Sequence, residues 1–224
     1  MNNQSDGLLA IWSTIATETE VDYLHWLTRE HIFERVGVPG FLSGRVFKRR
    51  DCLPSEYLML YELASADVMS SDGYLARLNE PTPWTQKIMP ALMHFRRGGG
   101  VVTHTADHGR AYGTHITIAR FEDSMPDALV GPAGQKLLDD VVQFDWIVAA
   151  RAMAVKTDAT SIATREKSMR NGQEGAFSGL LVVEALDDSS LNDVESLVSE
   201  AVPGGCNFQR YDTIFSHHRI AHIS

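Results

Sequence analysis

An order of secondary-structure elements that occurs twice is the feature that most constrains how this chain folds. Hydrophobic periodicity predicts strand, helix, strand, strand, helix and strand over residues 8–105. The same order follows over residues 115–216. An internal repeat of this kind indicates two structural units of one architecture. We therefore predict a first unit in residues 1–109 and a second unit in residues 110–224.

The third predicted strand of each half supports the repeat and indicates how the halves pack. Residues 57–67 align with residues 179–189, apolar on apolar, and Glu62 falls over Glu184. A β-α-β-β-α-β unit folds as a ferredoxin-like antiparallel sheet with both helices on one face. Because the third strands are apolar on both faces, the face of the sheet without helices must also be buried. We predict an α+β fold in which two fused ferredoxin-like units pack their antiparallel sheets face to face as an intrachain pseudo-dimer. The alternative is a single α+β sandwich whose halves look alike by chance.

The first predicted helix carries the most informative side chains. It covers residues 20–36 and begins at a threonine that is followed by acidic residues. Its predicted core-facing stripe runs from Val21 through Leu24, Thr28 and Ile32 to Arg35. We expect Trp26 and Phe33 on the far side of the helix, where a second copy of the chain would cover them.

Charge and cysteine content exclude several classes of function. The chain has 20 Lys and Arg against 29 Asp and Glu, a net charge of −9, which is the wrong sign for nucleic acid or an anionic membrane surface. Its two cysteines form neither a disulfide framework nor a metal motif, which favours a reducing compartment. The sequence shows neither a basic leader nor an apolar run of about 18 residues. We expect a cytoplasmic protein with a small-molecule ligand as its partner, either a monomeric pseudo-dimer or a homodimer.

The segment at residues 25–41, HWLTREHIFERVGVPGF, carries a family resemblance. A helix bearing Trp26 and His31 is followed by Pro39 and Gly40, which turn the chain into the second strand. This pattern resembles the signature region of the EthD-like group in the dimeric α+β barrel superfamily. The resemblance implies two ferredoxin-like units fused in tandem over almost the whole chain. Members of that superfamily include small-molecule oxygenases, ring isomerases and cyclases, and many proteins without known activity.

Histidines are the first candidates for chemistry. His25 and His31 lie on the first predicted helix, and imidazole exchanges a proton near neutral pH. Their spacing of six residues does not place two ligands of one metal on one helical face. The alternative is that both histidines border the core and bond to nearby carbonyls. His104, His108 and His115 also lie close in sequence, but their spacing matches no metal motif, so we expect no metal site.

An apolar pocket lined by amphipathic aromatic residues is the second expectation. Tyr57 and Tyr61 are four residues apart on the third predicted strand, so they share a face of the sheet. Their hydroxyl groups suit a carbonyl or phenolate ligand, and ordinary core packing is the alternative. The predicted substrate-binding residues are Trp12, Trp26, Tyr57 and Tyr61.

Two hypotheses about function follow. The first is a small-molecule enzyme of isomerase, cyclase or oxygenase-like chemistry on an aromatic, lactone or polyketide-like compound, with His31 or His25 as its proton carrier. The second is a non-catalytic ligand-binding or assembly module, since no complete catalytic constellation is present. We expect no cofactor, and the sequence leaves open whether the protein binds a haem, a flavin or a metal that is supplied from elsewhere.

Two connecting segments carry further expectations. Residues 157–176 join two predicted strands that the first half joins in about seven residues, and loops of that length are usually functional or mobile. We expect this segment to close over one mouth of a pocket or to contact a second chain. Residues 98–100 are three glycines, which predict the end of a helix that reaches about Phe95.

Overall fold

The elements follow the predicted order in both halves, except that two short helices, which the repeat does not predict, lie in the segment at 157–176. The computed structural model describes residues 6–108, 111–160 and 162–219. In the first half the elements are β1 (Gly7–Thr14), α1 (Glu20–Trp26), α2 (Ile32–Val36), β2 (Phe41–Arg49), β3 (Glu56–Leu63), α3 (Asp72–Asn79), α4 (Pro83–Ile88) and β4 (Met93–Asp107). In the second half they are β5 (His115–Phe121), α5 (Gly131–Val141), β6 (Ile147–Val155), α6 (Thr157–Thr160), α7 (Arg165–Met169), β7 (Gly179–Ala185), α8 (Leu191–Ala201) and β8 (Phe208–His218).

The fold is α+β with antiparallel strand pairing, as predicted. Contacts divide the chain into two compact units. The first unit takes its described residues from 1–100, 156–176 and 214–224, and the second from 101–155 and 177–213. The segment at 157–176 is therefore part of the first unit, although it follows β6 in sequence. The predicted boundary between residues 109 and 110 and the face-to-face packing of two sheets stay predictions.

In the first unit, β3 is the central strand. It pairs antiparallel with β1 on one side and with β2 on the other, so that Tyr61 lies opposite Leu9 and opposite Gly44. Every β3 residue after Glu56 is buried, which confirms the expectation of burial on both faces. One face of this strand, carrying Tyr57, Met59 and Tyr61, joins the same hydrophobic cluster as the helices.

In the second unit, β7 takes the corresponding place. It pairs antiparallel with β5 and β6, and β5 also pairs with β8. Its buried Glu184 accepts hydrogen bonds from Arg151 Nη1 at 2.8 Å and from the backbone N–H of Gly113 at 2.9 Å. This carboxylate therefore ties three segments of the unit together, which is a structural role.

The three glycines do not end a helix, and that prediction is wrong. The preceding helix α4 ends at Ile88, a short 3₁₀ turn covers Met89–Ala91, and residues 98–100 lie inside β4. The glycines serve close packing, because a methyl group on Gly99 would collide with Met69 Sδ and with the carbonyl of Leu8. A run of glycines signals either a chain reversal or a close approach of neighbours, and here the second applies.

The first helix buries the later part of its predicted face, which includes Ile32 and Arg35, but exposes the start of that face at Val21. A π-helical turn over Leu27–His31 separates α1 from α2. This turn adds a residue to the helical repeat and shifts the buried stripe. Val21 is consequently 67% exposed, whereas Trp26, which we expected on the far side, is 1% exposed. Phe33 is 44% exposed, as expected for the far side.

Candidate active site

The first unit contains an apolar pocket. Side chains from β1, the first helix, β3, α3, β4 and the segment at 157–176 line it. Its empty space is about 590 Å³ when open solvent at the mouth is included. A pocket of this size admits a small ligand. Much of its wall is apolar and comes from Ile11, Trp26, Met59, Met69, Leu78 and Phe95.

His31 is the polar side chain of this wall that lacks a partner. It is 4% exposed, and its Nδ1 atom is buried with no hydrogen bond. Burial, and then the positive charge of Arg35, hold the pKa of the imidazole well below its usual 6.5. The ring is neutral at neutral pH, so one of its nitrogens carries a lone pair that can accept a proton.

The local helix geometry sets the position of His31. It is the last residue of the π-helical turn, a feature that often marks functional sites. Its ring packs against Trp26 with 4.2 Å between ring centroids. Trp26 is fixed in turn, because its Nε1 donates a hydrogen bond of 3.0 Å to Thr85 Oγ1 on α4. A helix-borne histidine is thus packed on a rigid aromatic neighbour at the pocket wall.

A buried ion pair closes another side of the pocket. Arg35 on α2 pairs with Glu166 on α7, and their side chains are 3% and 7% exposed. This pair attaches the segment at 157–176 to the first helix. Ile162, Thr164 and Lys167 of the same segment also line the pocket. Side chains of this segment therefore form part of the pocket wall, and its closure over the mouth or contact with a second chain stays a prediction.

Cationic side chains outnumber acidic ones among the described residues that line the pocket. Besides Arg35, the cationic side chains that line it are Arg97, Lys167 and Arg170, whereas Glu166 is the one acidic side chain among the lining residues that the structure describes. Just beyond the lining, Glu174 accepts from Arg170 Nη2 at 3.1 Å and lies 3.5 Å from Lys167 Nζ. A neutral imidazole and several cationic side chains therefore line one largely apolar space.

The structure brings two of the predicted site residues, His31 and Trp26, together at the pocket. His25 lies on α1 and is half-buried, outside the residues that line the pocket. Trp12 is buried in β1, on the opposite face of the strand from the pocket residue Ile11.

The two predicted tyrosines lie in the core rather than in the pocket wall. Tyr57 donates a hydrogen bond to Glu20, and its pKa is raised chiefly by burial and also by that bond. Tyr61 packs against Phe41 with 5.5 Å between centroids, and its buried hydroxyl has no hydrogen-bond partner. The two tyrosines share a face of β3, as predicted, and that face belongs to the hydrophobic cluster.

The three histidines at positions 104, 108 and 115 do not point to a common site. The side chains of His104, His108 and His115 bond to three different partners: the carbonyl of Gly131, the carbonyl of Val142 and the carboxylate of Asp212. Among the described residues no group of three or more His, Cys, Asp and Glu side chains is placed to hold a metal ion. None of the helices that the structure describes combines the length and apolar character of a membrane span.

Comparison with known proteins identifies the fold. A proposed monooxygenase from Fusobacterium nucleatum superposes with a TM-score of 0.59 at 9% identity, over 96% of this chain and 95% of the other. An anthrone oxidase-like protein gives 0.56 at 14% identity, over 96% and 94%. A mutant chlorite dismutase from Candidatus Nitrospira defluvii gives 0.52 at 9% identity, over 95% and 93%. No family model matches the chain, and no curated protein matches it in sequence.

These similarities show a shared fold rather than an activity. At such low identities they show the fold alone, which this chain shares with monooxygenase-like and chlorite dismutase-like proteins. Membership of the dimeric α+β barrel superfamily, inferred from the sequence, stays a prediction. The resemblance to the EthD-like group within it stays a prediction.

The charged residues of the pocket were not predicted from the sequence. Arg35 was the available signal, because an arginine on the core-facing stripe of a helix needs a buried partner. The partner, Glu166, lies 131 residues further along the chain, in the long segment at 157–176. Arg97 and Arg170 gave no comparable signal, since arginines in such segments are usually solvated.

Proposed function

We propose that this protein is a small-molecule enzyme whose active site is the pocket of the first unit and whose proton acceptor is His31. The observation that carries the proposal is a buried, neutral imidazole without a partner at Nδ1, in the wall of an apolar pocket. A buried polar atom is normally bonded, so one left free at a concave site indicates a ligand. His25, outside the pocket, has no part in this proposal.

The chemistry begins with the removal of a proton from the bound compound. The neutral His31 ring accepts a proton from a phenol, an enol or an activated C–H group, which leaves a phenolate or enolate in the pocket. The nearby cations Arg35, Arg97 and Arg170 favour that anion and so lower the pKa of the acid that forms it. The low pKa of His31 keeps the ring in its basic form throughout the neutral range.

The fate of the anion decides the class of reaction. Return of the proton to another atom isomerises the compound, and attack of the anion within the molecule closes a ring. Reaction of the enolate with dioxygen is the oxygenase-like course, which is the one that the names of the structural neighbours favour. An aromatic, lactone or polyketide-like substrate fits all three courses, because each of these compounds forms a stabilised anion.

The finer points of the fold belong to the same proposal. We infer that the two units are ferredoxin-like, fused in tandem with their sheets face to face, and related to the EthD-like group. The repeated element order and the antiparallel pairing within each unit support the tandem arrangement. We also propose a cytoplasmic location and a small-molecule partner, on the charge and cysteine arguments given above.

Proton removal can be tested before the natural substrate is known. Anthrone, which one structural neighbour carries in its name, has an acidic methylene group and is the first probe. Under nitrogen in D₂O, nuclear magnetic resonance measures how fast those protons exchange with solvent. We expect the wild-type protein to accelerate the exchange and His31→Ala to abolish the acceleration. His25→Ala is the matched control, because it removes a histidine of the same helix outside the pocket.

The outcomes separate the two hypotheses about function. Acceleration that depends on His31 supports the enzyme, and added oxygen then shows whether anthrone is oxidised, with one O₂ giving anthraquinone and one water. Acceleration that is equal in wild type and His31→Ala contradicts the role of His31. Saturable binding of anthrone and of smaller enolisable aromatic ketones without any faster exchange favours the non-catalytic binding module.

A further inference from the structure

Two threonines at the start of α4 connect that helix to the first helix. Thr82 is the residue before α4, and its hydroxyl oxygen accepts a hydrogen bond of 3.0 Å from the backbone N–H of Thr85, which caps α4. The Oγ1 atoms of the two threonines lie 3.1 Å apart, within hydrogen-bond distance. Because a hydroxyl group both donates and accepts, such a pair links a donor on one side to an acceptor on the other. We call Thr82 and Thr85 the threonine bridge.

The threonine bridge bonds to the first helix at two residues around its π-helical turn. Trp26, the residue before the turn, donates a hydrogen bond of 3.0 Å from Nε1 to Thr85 Oγ1. Glu30, inside the turn, accepts a hydrogen bond of 2.6 Å from Thr82 Oγ1. Hydrogen bonds to a carboxylate are stronger than those between neutral groups. α4 therefore holds the turn at the residue before it and at the residue before His31.

Burial makes the hydrogen bond between Thr85 and Trp26 hard to replace. Both residues are 1% exposed. Without the Thr85 hydroxyl group, the indole N–H would lose its acceptor in a place where water does not supply another, which is unfavourable for a buried polar group. The ring of His31 packs on that indole. The position of the imidazole thus depends on a residue that is itself outside the pocket wall.

We propose that Thr85 is a positioning residue of the candidate active site: it fixes Trp26 and, through Thr82 and Glu30, the π-helical turn, so that the His31 ring keeps the orientation that proton transfer requires. This inference rests on the proposed function, and it says how the site holds its proton acceptor in place. Proton transfer needs donor and acceptor within hydrogen-bond distance. A displacement of about 1 Å therefore slows it by up to about 100-fold.

Helix capping is the alternative role of the threonine bridge. Loss of a cap lowers the free energy of unfolding but leaves the site of the folded molecules unchanged. The cap is made by the Thr82 hydroxyl oxygen and the backbone N–H of Thr85, and the Thr85 side chain takes no part in it. Thr85→Val keeps that N–H and the shape of the side chain and removes the hydroxyl group. This substitution therefore separates positioning from capping.

The exchange of anthrone protons in D₂O measures the effect on the reaction. We expect Thr85→Val to slow the exchange at saturating anthrone by about tenfold or more with little change in KM, because the ring is displaced while the residues that line the pocket are unchanged. Thr85→Ser keeps a hydroxyl group at this position and should restore most of the rate. Trp84→Phe is the matched control and should keep the wild-type rate. It removes another hydrogen bond between α4 and α1, from Trp84 Nε1 to Asp22 Oδ1 at 3.1 Å, which does not involve the π-helical turn.

Nuclear magnetic resonance of the His31 ring gives a readout that capping alone would not change. In Thr85→Val the nitrogen-15 shifts of the ring should move, and the pKa of His31 should rise towards 6.5, because a displaced ring regains contact with water. Thr85→Ser and Trp84→Phe should both keep the wild-type values. A capping role predicts instead a lower denaturation midpoint with unchanged ring shifts.

The results that overturn this inference are distinct from those that overturn the proposed function. Exchange that depends on His31 but is as fast in Thr85→Val as in wild type, with unchanged ring shifts, refutes the positioning role and leaves the proton acceptor standing. Exchange that ignores His31 refutes the proposed function, and the ring shifts of Thr85→Val and Thr85→Ser then decide the positioning role alone. A loss of rate in Trp84→Phe equal to that in Thr85→Val also contradicts the inference, since any loosening of α4 would then suffice.

A second variant decides the question if Thr85→Val does not fold. Glu30→Ala releases the other end of the threonine bridge and leaves the cap between Thr82 and Thr85 in place. It should slow the exchange and move the His31 shifts in the same direction as Thr85→Val. Wild-type rate and wild-type shifts in Glu30→Ala would contradict the inference.

Discussion

The buried pair of Arg35 and Glu166 gives the sharpest quantitative prediction. Replacement Glu166→Gln keeps the shape of the side chain and leaves the guanidinium of Arg35 uncompensated at 3% exposure. Removal of one partner of a buried ion pair typically costs about 3–5 kcal/mol, because the remaining charge stays desolvated. With a urea m-value of about 3 kcal/mol/M, the lower figure moves the denaturation midpoint down by about 1 M.

A double-mutant cycle separates the pair from other effects of the substitution. The variants are Glu166→Gln, Arg35→Met and the combination of the two, each unfolded in urea and followed by circular dichroism. The double variant no longer buries an unpaired charge, so we expect it to lose about 2 kcal/mol less than the sum of the single losses. Lys136→Met is the surface control, because Lys136 and Asp140 form an exposed i,i+4 pair on α5 that is typically worth about 0.3–0.5 kcal/mol.

The same variants report on the segment at 157–176. Arg165, Lys167 and Arg170 are trypsin sites within it, and Glu166 attaches them to the first helix. Glu166→Gln should therefore speed tryptic cleavage there relative to the surface control. A coupling energy below about 0.5 kcal/mol, or a loss no greater than that of the surface control, would refute the reasoning about a buried pair.

Three further predictions follow from single residues. Burial holds the pKa of His31 below 6.5, so below that pH the unfolded chain takes up a proton at this residue and the folded chain does not. The free energy of unfolding of the wild type should therefore fall below about pH 6.5 more steeply than that of His31→Gln, by up to about 1.4 kcal/mol per pH unit. Urea titrations at a series of pH values measure this difference. Hydrogen bonds, first from Lys48 and then from Tyr57, lower the pKa of Glu20 to about 2. The substitution Tyr57→Phe removes one of these bonds and should raise the pKa of Glu20 towards 4.5 in a carbon-13 nuclear magnetic resonance titration. An unchanged pKa would contradict the hydrogen bond. Gly99→Ala should destabilise the protein by about 1–3 kcal/mol in thermal unfolding, since the added methyl group meets Leu8 and Met69, and a neutral result would contradict the close approach.

Periodicity was sufficient for most of the fold. The strand predicted at 115–121 is found over His115–Phe121, and the helix predicted at 190–201 is found over Leu191–Ala201. These segments are regular, and burial of their apolar face decides their structure. The prediction for residues 98–100 was wrong because glycines occur both at the ends of helices and where neighbouring atoms approach closely. The close contact here is with Met69, which lies about 30 residues earlier in the chain, so local sequence could not reveal it.

The candidate site could be predicted only in part, for physical reasons that particular residues illustrate. His31 and Trp26 were nominated from residue type and position, and both lie in the pocket wall. The π-helical turn that orients them has no known signature in sequence, and it moved Trp26 from the expected outer face into the core. Arg35 and Glu166 needed tertiary information, because the attraction between them acts across 131 residues of chain.

The central claim is that His31 presents a neutral, unpartnered imidazole to a ligand in the pocket of the first unit. Nitrogen-15 chemical shifts of the histidine rings, followed from pH 5.5 to pH 8 with and without anthrone, test this role of His31. We expect His31 to stay neutral over this range in the free protein, and its resonances to shift on ligand addition while those of His25 do not. A His31 ring that titrates near 6.5 and ignores the ligand would contradict the account.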